Sequence, residues 1–284
     1  MVIIEGRMKK PIFSFLILIT ILWICPSYAD KLKQETLNEW ESLNTRVVSL
    51  YKQKDYDLAL LYANRAYEIA QEEGGLDHPF VPLSLNNLAL LYKAKGEFER
   101  AEEFYLFALA TGERTRGRNH ISIASSLNNL AALYVAQEKY DQAETYYQRA
   151  LAIKMKAYGS YHLSVALSLN NLADLYRIKK NYAQSELLYN HAIAIRQKEL
   201  GSNHPLVAET LKNLGDLYKE WEKYSQAKEQ YKNSVKILEK ASAKNNSEKI
   251  KILESLAEIY NKTNSPEEAA QYHERIKEIN SSSN

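Results

Sequence analysis

Apolar residues recur at helical spacing along most of the chain. In SLNNLALLY (84–92) the spacing i, i+3, i+4, i+7 is filled by Leu85, Leu88, Ala89 and Tyr92. Gly96 permits a tight turn after this stripe. A second stripe follows at the same kind of spacing, with Phe98, Ala101, Tyr105 and Ala108. The pattern therefore predicts a hairpin of two antiparallel helices.

The hairpin pattern repeats at a constant interval. Close copies of the first segment stand at 126–134, 168–176 and 210–218. The same interval separates four histidines, namely His78, His120, His162 and His204. It also separates four glycines predicted to end second helices in a left-handed conformation, namely Gly75, Gly117, Gly159 and Gly201. Small residues recur in the second helices at Ala59, Ala101, Ala143, Ser185, Ala227 and Ala269. Six units follow from this period: 36–77, 78–119, 120–161, 162–203, 204–245 and 246–280.

One hairpin cannot bury both of its apolar faces, whereas stacked hairpins can. The sequence therefore predicts an all-α solenoid over 30–280, with atypical units at its ends and a disordered tail at 281–284. The turn glycine of the second unit is replaced in later units by Glu138, Lys180 and Glu222. These replacements weaken individual units without changing the predicted fold.

The repeated pattern Leu-Ala-x-x-Tyr, then Tyr or Phe, Ala, Tyr and Ala, resembles the tetratricopeptide repeat. The 42-residue period with HPxVAxSLNNLA resembles the longer-helix variety found in kinesin light chains. The resemblance covers nearly all of 36–280 and implies a right-handed superhelical array of antiparallel helical hairpins. It also implies a non-enzymatic scaffold for protein interactions.

The segment 1–29 has the features of an export signal. Arg7, Lys9 and Lys10 precede an apolar run at 12–24, and small residues lead to a predicted cleavage point after Ala29. The run is shorter than the roughly 20 residues that span a bilayer, so cleavage is favoured over a membrane anchor formed by 12–24. The sequence predicts an exported protein of the bacterial periplasm or the exterior.

Cleavage would remove the only cysteine, Cys25, and leave 34 basic and 34 acidic residues. A mature chain without cysteine has neither disulfides nor thiolate metal sites. A neutral chain also lacks the basic footprint of a general nucleic-acid binder. We therefore expect no nucleic acid partner.

No motif for catalysis stands out. The sequence has no Walker-type, GxSxG or HExxH pattern, and we expect no enzyme activity, cofactor or small-molecule substrate. The periodic histidines are the best metal candidates, but neighbouring helices lie about 8–10 Å apart. Ligands to one zinc ion must each reach about 2 Å from it. A structural role in the turns between units is therefore favoured over a metal site.

The asparagine pairs are the candidate binding residues. On a helical wheel they fall outside the apolar stripe of each first helix, on the face that lines the concave groove of tetratricopeptide arrays. This predicted groove comprises Asn86, Asn87, Leu90, Asn128, Asn129, Val135, Asn170, Asn171, Asp174, Arg177, Lys212, Asn213, Asp216 and Lys219. It is apolar in the second and third units and charged in the fourth and fifth.

A carboxamide can both donate to and accept from a peptide backbone. Asparagines spaced about 10 Å apart would meet an extended peptide at about every third residue. The sequence thus predicts a groove that binds an extended segment of a protein partner. In kinesin light chains and related repeats, groove asparagines are used this way, which the resemblance implies for Asn87, Asn129, Asn171 and Asn213. The alternative at residue level is that the amides bond across neighbouring first helices. The alternatives at the level of function are self-association and an accessory role in an envelope complex.

Overall fold

The structure is a computed structural model that describes residues 26–241 and 246–281. Within these ranges the chain forms twelve α-helices and no strand. Their bounds are α1 Pro26–Gln53, α2 Tyr56–Gly74, α3 Val81–Ala94, α4 Phe98–Arg116, α5 Ala124–Ala136, α6 Tyr140–Tyr158, α7 Leu163–Ile178, α8 Tyr182–Leu200, α9 Pro205–Glu220, α10 Tyr224–Ala241, α11 Asn246–Lys262 and α12 Pro266–Ser281. Consecutive helices pack in pairs, so the predicted all-α array of hairpins is confirmed.

Apart from the six repeat units, the helices group into two larger compact parts, which we call the N-terminal unit and the C-terminal unit. The boundary between them falls within α4, between Thr111 and Gly112. The N-terminal unit contains α1 to α3 and the first part of α4, and the C-terminal unit contains the remainder. The predicted apolar segment 12–24 lies outside the described residues. The predicted cleavage point after Ala29 falls in the first turn of α1. Among the described helices, none combines the length and hydrophobicity needed to cross a membrane.

Small residues bring the two helices of each hairpin together. The positions of Ala59, Ala101, Ala143, Ser185, Ala227 and Ala269 are at most 1% exposed. Ser185 fits among the alanines because its hydroxyl donates to the carbonyl of Ala173 at 2.7 Å. A buried hydroxyl that is hydrogen-bonded avoids the desolvation cost of an unpaired one.

Two series of tyrosines account for much of the aromatic content. The first series lies on the first helices, and two of its members tie the fourth and fifth repeats to the preceding ones. Tyr176 donates to Glu144 at 2.9 Å, and Tyr218 donates to Glu186 at 2.6 Å. The second series lies on the second helices beneath the face of the asparagines, at Tyr105, Tyr147, Tyr189 and Tyr231, all at most 5% exposed.

Buried cations add a second link between units. The ammonium of Lys154 donates to Ser168 at 2.8 Å, and the guanidinium of Arg196 contacts the hydroxyl of Thr210 at 2.5 Å. Both cations are at most 7% exposed. These bonds fix α7 and α9 in equivalent positions on α6 and α8, which places their outer faces in register.

Glycine at the end of a second helix has a positive φ, as expected, but an extended ψ. Gly159 has φ 80° and ψ 169°, so the conformation is not the left-handed helical one predicted from the sequence. Nearly extended ψ at positive φ is accessible essentially to glycine alone. In the tighter turn between the two helices of a hairpin, by contrast, the positive φ belongs to non-glycine residues. Glu138, Lys180 and Glu222 have φ of 58–60° there.

Glu138→Gly is expected to stabilise the protein by roughly 0.5–1 kcal/mol. The left-handed backbone costs a non-glycine residue about 1–2 kcal/mol, part of which the greater freedom of glycine in the unfolded chain offsets. Urea denaturation followed by circular dichroism measures the effect. Glu103→Gly, at an exposed position inside α4, should instead destabilise by about 1 kcal/mol. Equal destabilisation by both changes would show that the left-handed backbone at Glu138 does not cost free energy.

Candidate functional site

The predicted groove residues of the C-terminal unit share one face of its first helices. On α5, α7 and α9 the pairs Asn128/Asn129, Asn170/Asn171 and Lys212/Asn213 occupy equivalent positions. Asn170 is 4% exposed, whereas the second residue of each pair is half-buried. We call this surface the groove face. Val135, Asp174, Arg177, Asp216 and Lys219 lie on the same face, and all are half-buried.

Some asparagines bond to one another across neighbouring first helices. Asn213 donates its amide to the side-chain oxygen of Asn170 at 3.3 Å. In the N-terminal unit Asn87 donates to Asn44 at 2.5 Å in the same way. In both cases the second asparagine of one unit donates to the first position of the preceding unit. We call such a bond a rung. The structural alternative considered for the asparagines therefore applies to Asn87 and Asn213.

The equivalent rung between Asn171 and Asn128 is absent. The side-chain oxygen of Asn128 is buried and has no hydrogen-bond partner among the described residues. Neither Asn129 nor Asn171 makes a side-chain hydrogen bond within 26–241 and 246–281. The middle of the groove face thus holds three asparagine side chains that form no hydrogen bond with the described residues.

Charged side chains of the groove face pair with one another. Lys212 contacts Asp216 at 2.8 Å, Arg177 pairs with Glu220, and Lys219 pairs with Glu258. These cations are 23–28% exposed, so their pairs are partly shielded from water. The charged end of the groove face is therefore a set of paired ionic side chains, which we call the ionic network, and not of unpaired surface charges.

Tyrosines from the second helices reach this network from below. Tyr189 donates to Asp174 at 2.5 Å, and Tyr231 donates to Asp216 at 2.6 Å. Asp174 also accepts from the amide of Asn170 at 3.0 Å. Desolvation raises the pKa of the Asp174 carboxyl, although the Tyr189 hydroxyl and the nearby Arg177 act in the opposite direction. Each carboxylate is held in place from beneath the groove face.

The equivalent face of the N-terminal unit is more apolar. Leu90 and Asn87 are half-buried, and Asn86 is 8% exposed and donates to the carbonyl of Pro82 at 2.7 Å. Leu83 and Val48 are 45% and 51% exposed. This unit offers apolar surface beside its asparagines, as the sequence predicted for the second unit.

The periodic histidines cap helical segments. The Nδ1 atoms of His120, His162 and His204 accept from the backbone N–H two residues later at 3.1–3.2 Å. Such an acceptor satisfies an amide at a helix start that has no partner within the helix. Among the described residues no three acidic, histidine or cysteine side chains are arranged to hold a metal ion.

The family follows from a sequence comparison. A model of the tetratricopeptide repeat matches residues 41–114, 82–156, 122–198 and 164–240, which together span most of the chain. The protein belongs to the tetratricopeptide-repeat family. Proteins of this family are generally non-enzymatic scaffolds, and the fold is consistent with protein–protein interaction. A comparison with curated proteins finds no match.

Solved structures of tetratricopeptide-repeat proteins share this fold. BtubC (BKLC) from P. vanneervenii is 22% identical, with a TM-score of 0.72 over 80% of this chain and 91% of its own. A structure of nearly identical TPR-like repeats assigned to a kinesin light chain of Podosopora anserina is 23% identical, with a TM-score of 0.61 over 71% and 96%. A Rap protein complexed with Competence and Sporulation Factor is 16% identical, with a TM-score of 0.59 over 89% and 79%. The resemblance to kinesin light chain-like repeats is confirmed for the fold.

The repeat period placed the predicted groove residues on one face of the first helices, but it did not give their hydrogen-bond partners. The hydroxyls of Tyr189 and Tyr231 reach Asp174 and Asp216 on the groove face. Glu220 and Glu258 complete the ionic network although neither is among the predicted groove residues. The signal available in the sequence was that Asp174 and Asp216 each stand 15 residues before a tyrosine of the repeat.

Tyr189→Phe is expected to destabilise the protein by about 1.5–3 kcal/mol, because it removes a hydrogen bond to a carboxylate. Tyr147→Phe removes a hydroxyl that makes no hydrogen bond to a described residue, and it should change stability by less than about 0.5 kcal/mol. Urea denaturation of the two variants provides the comparison. An equal loss in both would show that burial, and not the bond to Asp174, sets the cost.

Proposed function

We propose that this protein is an exported scaffold that binds an extended segment of a partner protein on its groove face. The observation that carries the proposal is the set of unused amides on α5 and α7. Asn128, Asn129 and Asn171 form no side-chain hydrogen bonds within the described residues, and they stand on adjacent first helices. An extended peptide backbone supplies both the donors and the acceptors that these amides lack.

The surroundings of the amides support a preference in sequence and direction. Val135 lies next to them on α5, whereas Arg177, Lys212 and Asp216 follow on α7 and α9. A peptide along this face would therefore meet apolar surface before the ionic network. The Rap protein with its bound Competence and Sporulation Factor is a precedent for partner binding by an array of this fold. Self-association and an accessory role in a larger complex have no comparable observation in their favour.

Asn129→Ala combined with Asn171→Ala tests the groove. Linear peptides selected on the wild-type protein from a random library should lose at least about tenfold in affinity, since two amides account for several backbone hydrogen bonds. Isothermal titration calorimetry measures the affinity. The thermal midpoint should hardly change, because neither side chain bonds to a described residue.

Two controls define the outcome. Asn190→Ala, at an exposed position of α8 away from the groove face, should affect neither binding nor stability. Asn213→Ala removes a rung, so it should lower stability. Failure to select any peptide that depends on the groove face, or unchanged affinity in the double variant, would overturn the proposed function.

Export is inferred from the sequence of the segment 1–29 alone. Edman sequencing of the protein recovered from its host should give Asp30 as the first residue. A chain that begins upstream of the apolar run and fractionates with membranes would instead support the anchor formed by 12–24.

A further inference from the structure

A notch with cationic walls opens between α6 and the turn that joins α4 to α5. Its volume is about 160 Å³, and it lies within the C-terminal unit. A cavity of about 150 Å³ holds a benzene molecule, so the notch has room for a small ligand or for one polar group of a larger one. None of its residues belongs to the groove face. We call it the basic notch, and it is lined by Asn119, Arg149, Ala152, Ile153 and Lys156.

The equivalent place in unit four is filled by an aromatic ring. Tyr161 stands one repeat after Asn119, and Lys198 stands one repeat after Lys156. The ammonium of Lys198 lies 4.4 Å from the centre of the Tyr161 ring. The ring of His191 meets the same tyrosine nearly at a right angle, with 6.4 Å between the ring centres. In unit three the shorter Asn119 leaves this place open, and the ammonium of Lys156 has no ring beneath it.

Arg149 is fixed beside the notch and retains unused donors. Its Nη2 atom lies 2.6 Å from a carboxylate oxygen of Glu113 and donates to the backbone carbonyl of Arg118, also at 2.6 Å. A guanidinium has five N–H donors. Those on Nε and Nη1 make no hydrogen bond with the described residues. The side chain is 25% exposed, so a ligand in the notch can reach donors that are already held in place.

Positive charge predominates around the notch. The segments 113–119 and 149–156 together carry six cationic side chains and one acidic side chain, Glu113. This one carboxylate lies 2.6 Å from Arg149 and 3.7 Å from Arg118, so two guanidinium groups share it. Lys156 is exposed and forms no ion pair with a described residue. These four side chains therefore carry a net charge of +2 in a mature chain whose predicted net charge is zero.

Units four and five lack this combination. The position of Arg149 is taken by His191 in unit four and by Asn233 in unit five. Unit five does carry an asparagine at the turn position, Asn203, but without the arginine. The open turn position and the fixed guanidinium thus occur together in unit three and in neither of the two units that follow.

We propose that the basic notch binds a phosphate group, which accepts hydrogen bonds from Arg149, Lys156 and Asn119. Inorganic phosphate and phosphate monoesters carry about −1.5 to −2 charges at neutral pH and present several strong acceptor oxygens. The net charge of +2 matches this group, and its tetrahedral oxygens suit donors that come from both α6 and the turn. A carboxylate has a single charge and only two oxygens in one plane. The site is separate from the groove face and does not depend on the proposed function.

Inorganic phosphate is the first probe of the notch. The full-length chain, labelled with ¹⁵N, is titrated with sodium phosphate at neutral pH while sodium chloride keeps the ionic strength constant. We expect saturable shifts of the Arg149 Nε–H signal and of the Asn119 side-chain NH₂ signals. Sodium acetate should bind at least about tenfold more weakly, because it offers fewer charge-assisted hydrogen bonds.

Three substitutions separate the notch from general attraction by positive charge. Lys156→Gln should weaken phosphate binding at least about tenfold, because it removes a charge-assisted hydrogen bond. Lys240→Gln makes the same change at the exposed equivalent position of unit five, and it should have no effect. Asn119→Tyr keeps every cation but introduces the side chain that fills this place in unit four, so it should abolish the saturable shift of Arg149. Urea denaturation verifies that all three variants are folded.

Vesicles distinguish a soluble phosphate ligand from a lipid headgroup. Tyr158 and Tyr161 follow Lys156 closely in the chain and are 49% and 57% exposed, and tyrosine is enriched at membrane interfaces. The full-length chain is sedimented with vesicles of phosphatidylcholine alone or mixed with phosphatidic acid, whose headgroup is a phosphate monoester. The segment 1–29 is common to the wild type and the variants, so the difference between them reports the notch alone.

The outcomes of the two experiments are distinct. Shifts with inorganic phosphate that depend on the notch, without a preference for phosphatidic acid, identify a soluble phosphate ligand. A preference for phosphatidic acid that Lys156→Gln and Asn119→Tyr both abolish identifies a lipid headgroup. Absence of both responses, equal losses in Lys156→Gln and Lys240→Gln, or undiminished binding by Asn119→Tyr would overturn the proposal. None of these substitutions touches the groove face, so the peptide experiment tests the proposed function separately.

Discussion

Close contact between the two helices of each hairpin is the constraint on which the rest of this structure depends. Residues no larger than alanine or serine stand at that contact in every unit, and all are inaccessible or nearly so. A larger side chain there would separate the helices and force neighbours out of their preferred rotamers. Because the contact recurs once in every repeat, each hairpin has the same geometry and can present the same surfaces to the next.

Because the hairpins have equivalent geometry, residues that recur in the sequence lie side by side on one surface. Lys154 and Arg196 tie consecutive units through the hydroxyls of Ser168 and Thr210, while Tyr176 and Tyr218 tie them through acidic residues. With these links in place, the outer faces of the first helices of the C-terminal unit repeat in register. Side chains one repeat apart in the sequence then become neighbours on a single face, which is how asparagines that are poor helix formers form a row.

Repetition also makes differences between units informative. Asn213 donates to Asn170, and the amide of Asn170 donates in turn to Asp174. Asn171 and Asn128, at the equivalent positions one repeat earlier, form no such bond, and the buried side-chain oxygen of Asn128 has no partner among the described residues. Equivalent positions of the repeat therefore differ in the hydrogen bonds that their side chains make.

The sequence by itself determined the helical hairpins, their period, the buried stripe and which residues share the outer face of the first helices. These follow from apolar spacing and from repetition, which are local properties that a helical wheel can represent. Only the tertiary structure decided which amides bond to each other. A bond such as that between Asn213 and Asn170 depends on the distance and angle between two helices and on which acceptor holds the amide of Asn170. The tertiary structure also decided the left-handed backbone of Glu138. The turn of the hairpin imposes this conformation, which a non-glycine residue otherwise disfavours.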